Sequence, residues 1–260
     1  MSYRAGRPGA LPAERDAIVG GVRLPPGRRI AAGGDEPVLW ISEQPLRDAA
    51  ARWRELARGY ANHGLWPLLM STLHDDGGRP WLTDELDLDR VSDPGAHDAL
   101  AVLADSWQNV LPASDDELGV VAPLGRSFPG LAAATTGDPL SIGDAVEDTT
   151  VRLGLVAVAR PADAVAAIGW SGPLNHTNDV AELCAVMRTW EDRFGAYVVA
   201  VGFDTLAIGV ERPPRDTTTA LAIAAEHFAF CPDNIWQGSG KLAAYVEHLI
   251  DAPMWGFWWD

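Results

Sequence analysis

The sequence predicts an α+β protein in which helices cover a mixed or antiparallel sheet. Apolar residues recur at helical spacing in some segments and alternate along others. In the last third of the chain these segments follow the order helix, strand, strand, helix, helix, strand. Hydrophobic residues make up 47% of the 260 positions, which is enough for a sizeable core. A small sheet covered on one face by helices would bury all of these apolar stripes.

The charge and the cysteine content limit the possible partners. Twenty basic and 36 acidic residues give a net charge of −16, which disfavours binding to nucleic acid or to an anionic membrane and permits a basic protein partner. Two cysteines do not form a disulfide framework, and no apolar run resembles a signal peptide or a membrane span. We therefore expect a cytoplasmic protein with reduced thiols.

The first half of the chain is predicted to contain two regions. Residues 1–36 are rich in Gly, Pro and Arg and are predicted to be a flexible lead-in. Residues 37–148 are predicted to be an N-terminal α/β region, which opens with a βαβ-like unit. The predicted elements are a strand at 38–41, a helix at 42–60, a strand at 66–70 and a helix at 97–107, followed by loops.

Residues 149–260 are predicted to form a C-terminal domain. Asp179 is predicted to be the N-cap of one helix and Asp216 of another, and the second helix must end at Cys231 because Pro232 follows. Ser239 is predicted to cap a third helix. The remaining predicted elements are strands at 152–160, 197–203 and 206–210 and a last strand over the aromatic end of the chain.

The chain ends in an unusually aromatic segment. Three of the 11 Trp residues fall in the last six positions. So much apolar surface would promote association if it were exposed, so we expect it to be buried as the last strand of the sheet. Core packing is therefore preferred to a Trp-lined ligand groove. The same core is predicted to take Trp190, Phe203, Phe228 and Tyr245.

Four sequence blocks of the C-terminal domain resemble a known family. They are Trp-Glu-Asp-Arg-Phe-Gly at 190–195, Val-Gly-Phe-Asp-Thr-Leu at 201–206, Ala-Glu-His-Phe-Ala-Phe-Cys-Pro-Asp at 225–233 and Phe-Trp-Trp-Asp at 257–260. Together they are similar to the bacterial domain of unknown function 4253 family. The Gly- and Pro-rich lead-in and residues 38–42 and 64–69 resemble the N-terminal region that accompanies this domain in actinobacterial-type proteins. The resemblance implies no activity, cofactor or site residue.

The best candidate site is the segment from His227 to Asp233. On a helix His227 and Cys231 lie four residues apart on one face, and Asp233 follows just after the helix end. A thiol, an imidazole and a carboxylate could form an activated nucleophile or part of a metal site. The structural interpretation, which we prefer, is a buried Cys231 at a helix C-terminus, where its pKa is raised, with His227 bonded to a carbonyl and Asp233 capping a turn.

Acidic segments give weaker candidates. Residues 74–76 and 84–89 could attract a divalent cation, but they lack the calcium-loop spacing, so we expect no metal. Glu191 or Asp192 is predicted to pair with Arg188 or Arg193 on an exposed helix face. No phosphate-binding loop, nucleophile elbow or dinucleotide fingerprint is present, and no cofactor is expected.

Two hypotheses for the function follow. The preferred one is a non-catalytic binding or interaction module for a basic protein partner. The alternative is an enzyme or metal-binding protein that uses Cys231, His227 and Asp233. The alternative requires these three side chains to converge beside a cleft, and burial of Cys231 without an adjoining cavity would count against it.

Overall fold

The computed structural model describes residues 7–73 and 78–260, and this part of the chain contains nine strands and six α-helices. The strands are β1 Ile18–Val19, β2 Val22–Arg23, β3 Gly27–Ala31, β4 Pro37–Ser42, β5 Leu65–Met70, β6 Arg152–Ala157, β7 Ala196–Val201, β8 Thr205–Val210 and β9 Met254–Trp258. The helices are α1 Ala49–His63, α2 Ala99–Val110, α3 Ala164–Ala167, α4 Val180–Phe194, α5 Thr217–Phe230 and α6 Leu242–Glu247. No helix in these two ranges is both long enough and apolar enough to cross a bilayer.

A seven-stranded mixed sheet forms the centre of the protein, with the strand order β3-β4-β6-β5-β7-β8-β9. Only the β5–β7 pair is parallel, and the other five pairs are antiparallel. The α+β prediction is confirmed. The sheet is larger than the predicted C-terminal one because β3, β4 and β5 join it from the first part of the chain.

The predicted βαβ unit is present in a split form. Strands β4 and β5 both pair antiparallel with β6, which lies between them, so they run parallel to each other without touching. Leu155 of β6 faces Trp40 on one side and Pro67 on the other. The sequence could not indicate this insertion, because β6 follows β5 by more than 80 residues.

The predicted flexible lead-in contributes an edge strand to the sheet. Residues 27–31 form β3, which pairs with β4. The Arg29 guanidinium ties the preceding residues to this edge, because it donates to the carbonyls of Pro12 at 2.9 Å and Leu11 at 2.5 Å. The Gly- and Pro-rich composition of this segment gave no indication of these long-range hydrogen bonds.

Helices lie on both faces of the sheet. On one face, Trp53 of α1 packs against Trp66 and Tyr197, with ring centroids 5.8 and 5.9 Å apart. On the other face, Trp190 of α4 packs against Trp255 at 5.6 Å and Phe257 at 5.7 Å. Tyr197 and Met254 both pair with Gly209, which places the neighbouring Trp255 on the opposite face. Helix α1 therefore adds a layer that the one-sided prediction lacked.

The aromatic end of the chain forms β9, and the prediction of its burial is confirmed. Trp255, Phe257 and Trp259 are buried, and the alternate residue Trp258 is half-buried. Phe203 is an exception among the predicted core residues. It is half-buried and lies under the Arg79 guanidinium, 4.8 Å from the ring centroid.

Most predicted helix ends agree with the structure. Asp179 and Asp216 cap α4 and α5 through side-chain hydrogen bonds, and α5 stops before Cys231. Ser239 is not an N-cap, because residues 234–239 form a π-helical turn and Lys241 precedes α6. Helix α1 begins seven residues later than predicted, at Ala49.

Candidate functional site

The predicted site lies where α5 ends against the outer edge of β9. This strand pairs with β8 on one side only, so its other edge needs partners for its polar backbone groups. Cys231 directly follows α5, and its backbone N–H donates to the His227 carbonyl at 2.8 Å. Pro232 prevents a further helical turn and directs Asp233 and Asn234 along the strand.

Three consecutive polar contacts join this segment to β9. The Cys231 thiol donates to the Trp258 carbonyl at 2.9 Å, and the Asn234 amide donates to the Gly256 carbonyl at 2.7 Å. The backbone N–H of Asp260 donates to the Asp233 carboxylate at 3.1 Å. We call Cys231, Asp233 and Asn234 the edge clamp, because their side chains occupy the hydrogen-bonding groups of an otherwise open strand edge.

His227 sits behind the edge clamp in an aromatic environment. Its ring centroid lies 4.6 Å from Trp255, 4.8 Å from Phe257 and 5.0 Å from Trp190. Its Nδ1 is 3.1 Å from the Tyr245 hydroxyl, which also accepts a hydrogen bond from Asn234 at 3.0 Å. The imidazole thus supports the edge clamp through Tyr245, where the sequence had suggested a bond to a carbonyl.

The protonation states follow from burial. Burial, together with the positive charge of Arg193, lowers the pKa of His227 to about 3, so the ring is neutral at physiological pH. Burial raises the pKa of the Cys231 thiol to about 12, so the thiol stays protonated. Since the thiolate is the reactive form of cysteine, this environment provides no nucleophile.

The three candidates do not converge as a catalytic or metal site would. Each side chain has its own partner, and no hydrogen bond joins the Cys231 sulfur to the His227 ring within residues 7–73 and 78–260. Nor does this part of the chain hold any group of three His, Cys, Asp or Glu side chains placed to share a metal ion. The acidic segment 84–89 forms ion pairs, Glu85 with Arg79 and Asp87 with Arg90. Residues 74–76 lie outside the described ranges.

The acidic residues of α4 pair differently from the prediction. Glu191 is buried and pairs with Arg160 at 3.1 Å, and Asp192 pairs with the same guanidinium at 2.9 Å. Arg188 pairs with Asp163 on the chain before α3. The predicted pairs within one helix were wrong, because α4 packs its charged residues against the 160–163 turn.

A buried carboxylate next to His227 was missed at the sequence level. Glu226 is fully buried and pairs with Arg193 at 2.6 Å. It also accepts hydrogen bonds from the Trp190 indole at 2.7 Å and from the backbone N–H of Ala132 at 2.6 Å. The only sequence signal was an acidic residue inside an otherwise apolar helix. Its hydrogen bonds hold the loop around residue 132 against the core, so the role of Glu226 is structural.

An open cavity of about 730 Å³ lies beside the edge clamp, and we call it the sheet cavity. Its lining comes from strands β7, β8 and β9, the π-helical turn, α6 and the end of β5. Three of the strand positions carry small residues, namely Ala200, Ala207 and Gly256. The larger and polar lining residues are Ser71, Val201, Thr205, Leu206, Asn234, Ser239, Tyr245, His248, Phe257 and Trp258.

The sheet cavity and the predicted site are neighbours that share one residue. Asn234 lines the cavity and belongs to the edge clamp, whereas Cys231, His227 and Asp233 do not line it. The side chains of Cys231 and His227 are fully buried. A ligand in the sheet cavity would therefore meet neither the thiol nor the imidazole.

The comparison with known families concerns the C-terminal part of the chain. Residues 152–260 match the model of a family described as a domain of unknown function, DUF4253. This part of the chain is a DUF4253 domain. It contains β6 to β9 and α3 to α6, and therefore both the edge clamp and most of the sheet cavity. No curated protein and no solved structure matches the chain.

The DUF4253 domain does not form a continuous sheet from its own strands. Strand β5, which precedes the matched residues, lies between β6 and β7 and pairs with both. The predicted boundary at 148/149 thus separates two stretches of chain that share one sheet. The resemblance of residues 38–42 and 64–69 to an accompanying region stays a prediction.

Proposed function

We propose that the protein is a non-catalytic binding module that holds a basic segment of a protein partner in the sheet cavity. The observation that carries this proposal is the cavity itself, which combines small residues on its strands with aromatic side chains, largely on the DUF4253 domain.

The size and lining of the sheet cavity suit a side chain from a partner. A volume of about 730 Å³ lies within the usual range of binding pockets. Ala200, Ala207 and Gly256 leave room above the strands, while Trp258 and Tyr245 offer aromatic surface. A long Arg or Lys side chain packs its aliphatic part against such surface and keeps its charge near water.

The charges near the sheet cavity favour a basic occupant. Asp204, Asp233 and Glu247 are sequence neighbours of the lining residues Thr205, Asn234 and His248. Within residues 152–260 there are 13 acidic and seven basic residues. Complementary charge accelerates encounter with a basic partner and disfavours acidic competitors.

The lining offers little for catalysis. None of the described residues that line the sheet cavity is Asp, Glu, Cys, Lys or Arg. In the described ranges, no hydrogen bond joins the His248 ring to the hydroxyls of Ser71, Thr205 or Ser239. An activated nucleophile requires such a bond to a general base, so binding without chemistry is the better supported function.

Filling the sheet cavity tests the proposal. A Cβ at Gly256 would meet no atom within 4 Å, so the backbone accepts a side chain at this lining position and Gly256→Leu is chosen to fill the cavity. Gly34 is equally open and exposed, and Gly34→Leu is the matched control. The wild type and each variant are used for affinity capture from the cell that makes this protein. The captured partner is then purified, and its affinity for the wild type and for each variant is measured by titration.

The proposal expects one stoichiometric basic partner with the wild type and with Gly34→Leu. Gly256→Leu should weaken its binding at least about tenfold, since it removes the pocket for a buried anchor residue. The affinity should also fall at high salt, because attraction to the exposed Glu247 and the half-buried Asp204 and Asp233 is screened by ions. An acidic partner, or equal binding by both variants, would overturn the proposal.

A further inference from the structure

A second cleft lies between β2 and the first turns of α1, outside the DUF4253 domain. Its volume is about 690 Å³. Four arginines line it, Arg23, Arg52, Arg54 and Arg58, together with two carboxylates, Asp48 and Glu55. We call this feature the arginine cleft.

Two of the four arginines are held in place by the protein. Arg52 is bonded to the Asp48 carboxylate at 2.9 Å and to the Arg23 carbonyl at 2.5 Å. Arg54 donates to the carbonyl of Gly143 at 3.1 Å and to that of Val146. These bonds fix both side chains, Arg52 beside Asp48 and Arg54 against the loop at residues 143–148, so little of their entropy remains to be lost on binding.

The other two arginines have uncompensated charges. Within residues 7–73 and 78–260 neither Arg23 nor Arg58 forms an ion pair, and both side chains are exposed. Arg58 lies four residues after Arg54 on the same helix face. The six charged lining residues sum to a net charge of +2, which falls to +1 when Asp148, 3.5 Å from the Arg54 guanidinium, is included.

The N-terminus of α1 borders the same cleft. Asp48 occupies the N-cap but makes no side-chain cap hydrogen bond, because its carboxylate faces Arg52. No acidic residue lies in the first turn, and Ala51 of that turn lines the arginine cleft. The first N–H groups of a helix carry partial positive charge and bind anions.

The charge of this region differs from that of the whole protein. Residues 1–73 contain ten arginines and seven acidic residues, in a chain whose net charge is −16. A basic cleft on so acidic a protein needs a specific explanation, since general solubility is already provided by the acidic surface. The overall charge also argues against an anionic membrane as the source of the ligand.

We propose that the arginine cleft binds a soluble phosphate-bearing ligand. Planar guanidinium groups form paired hydrogen bonds with phosphate oxygens, and Arg23 and Arg58 have donors free for this task. The Arg52–Asp48 ion pair and the first turn of α1 form a pre-arranged wall beside these two arginines. This site is independent of the sheet cavity and of its proposed partner.

Titration calorimetry of the full-length protein with inorganic pyrophosphate tests this site. Arg58→Gln should weaken binding about tenfold or more, because it removes a charge-assisted hydrogen bond. Glu55→Gln should strengthen binding severalfold, because it removes a repelling carboxylate from the cleft wall. Arg47→Gln is the matched control, since Arg47 is exposed just before α1 and does not line the cleft.

Saturable binding with these three responses supports the proposal, and thermal melting of each variant confirms that it is folded. Absence of pyrophosphate binding by the wild type would overturn it. Equal losses in Arg58→Gln and Arg47→Gln would also overturn it, because they would indicate attraction to general positive charge. Binding to vesicles that contain phosphatidylinositol phosphates, without any response to pyrophosphate, would rule out a soluble ligand.

Discussion

The two edges of the seven-stranded sheet are completed in different ways. At β9, the buried side chains of Cys231 and Asn234 bond to backbone carbonyls, and aromatic rings pack behind them. At β3, the exposed Glu14 provides the partners: its carbonyl accepts from the Gly27 N–H at 2.8 Å and its carboxylate from the Arg29 N–H at 3.1 Å.

This difference explains why the residues at β9 looked like an active site. Removing the hydrogen-bond partner of a buried polar group costs more folding free energy than removing the partner of an exposed group. Water can replace the lost partner only at the exposed group. An edge closed by buried side chains therefore requires specific Cys, His, Asp and Asn residues. An edge closed mainly by backbone and exposed carboxylate requires no such set, and its sequence looks like an ordinary loop.

The largest expected effect is the loss of β9. Deletion of residues 255–260 removes three buried aromatic side chains, Trp255, Phe257 and Trp259. Each large aromatic truncation costs about 3–5 kcal/mol, so the three together cost about 9–15 kcal/mol, as much as the whole stability of a typical domain. We expect the C-terminal domain to unfold, as measured by circular dichroism and thermal melting.

A deletion at the other edge provides the control. Removal of residues 1–14 takes away the partners of β3, and we expect a lower melting temperature with a cooperative transition. The comparison of the two edges would be wrong if the C-terminal deletion left the melting temperature unchanged, or if the N-terminal deletion were the more damaging one.

Single substitutions test the difference between the β9 edge and the β3 edge. Asn234→Ala leaves the Gly256 carbonyl and the Tyr245 hydroxyl without their donor, at a cost of about 2–3 kcal/mol. Glu14→Ala removes an exposed acceptor and should cost about 0.5 kcal/mol. Urea unfolding of both variants measures the difference, and similar values would mean that burial does not separate the two edges.

Acid should weaken the β9 edge through His227. The pKa of this residue is about 3 in the folded protein, against an ordinary value of about 6.5 when unfolded. The unfolded chain therefore binds the proton first, and stability present above pH 6.5 is lost as the pH falls toward 3. The slope is about 1.4 kcal/mol per pH unit, or about 2 kcal/mol lost at pH 5.

Urea unfolding at pH 7 and pH 5 measures this loss. His227→Phe should reduce the difference between the two pH values by about 2 kcal/mol. His248→Gln, which removes an exposed histidine, is the control for the loss of a histidine as such. An unaltered pH dependence in His227→Phe would show that another group controls the acid sensitivity.

The sequence predicted local features well, because local features depend on neighbouring residues. The caps at Asp179 and Asp216, the end of α5 before Pro232 and the burial of the aromatic ending all follow from short-range rules. The structural interpretation of Cys231 rested on the same kind of rule, since it used only the helix end and the expected burial.

Features that depend on distant residues were not predictable in this way. The position of β5 between β6 and β7 depends on pairings between Met70 and Arg152 and between Leu69 and Ala200. The partners of the edge clamp and the Glu226–Arg193 pair are likewise set by tertiary packing. The arginine cleft was not predicted for a further reason. The net charge of the whole chain is an average that does not reveal a local surplus of arginine.

The place of β5 has a consequence for the synthesis of the protein. Met70 leaves the ribosome 82 residues before Arg152, its partner in β6. Strand β7, the other neighbour of β5, is synthesised later still. Until then β5, all six residues of which are buried in the finished sheet, has neither neighbour. Such distant pairings slow folding, so the growing chain carries an apolar strand that depends on chaperones or on rapid translation for protection.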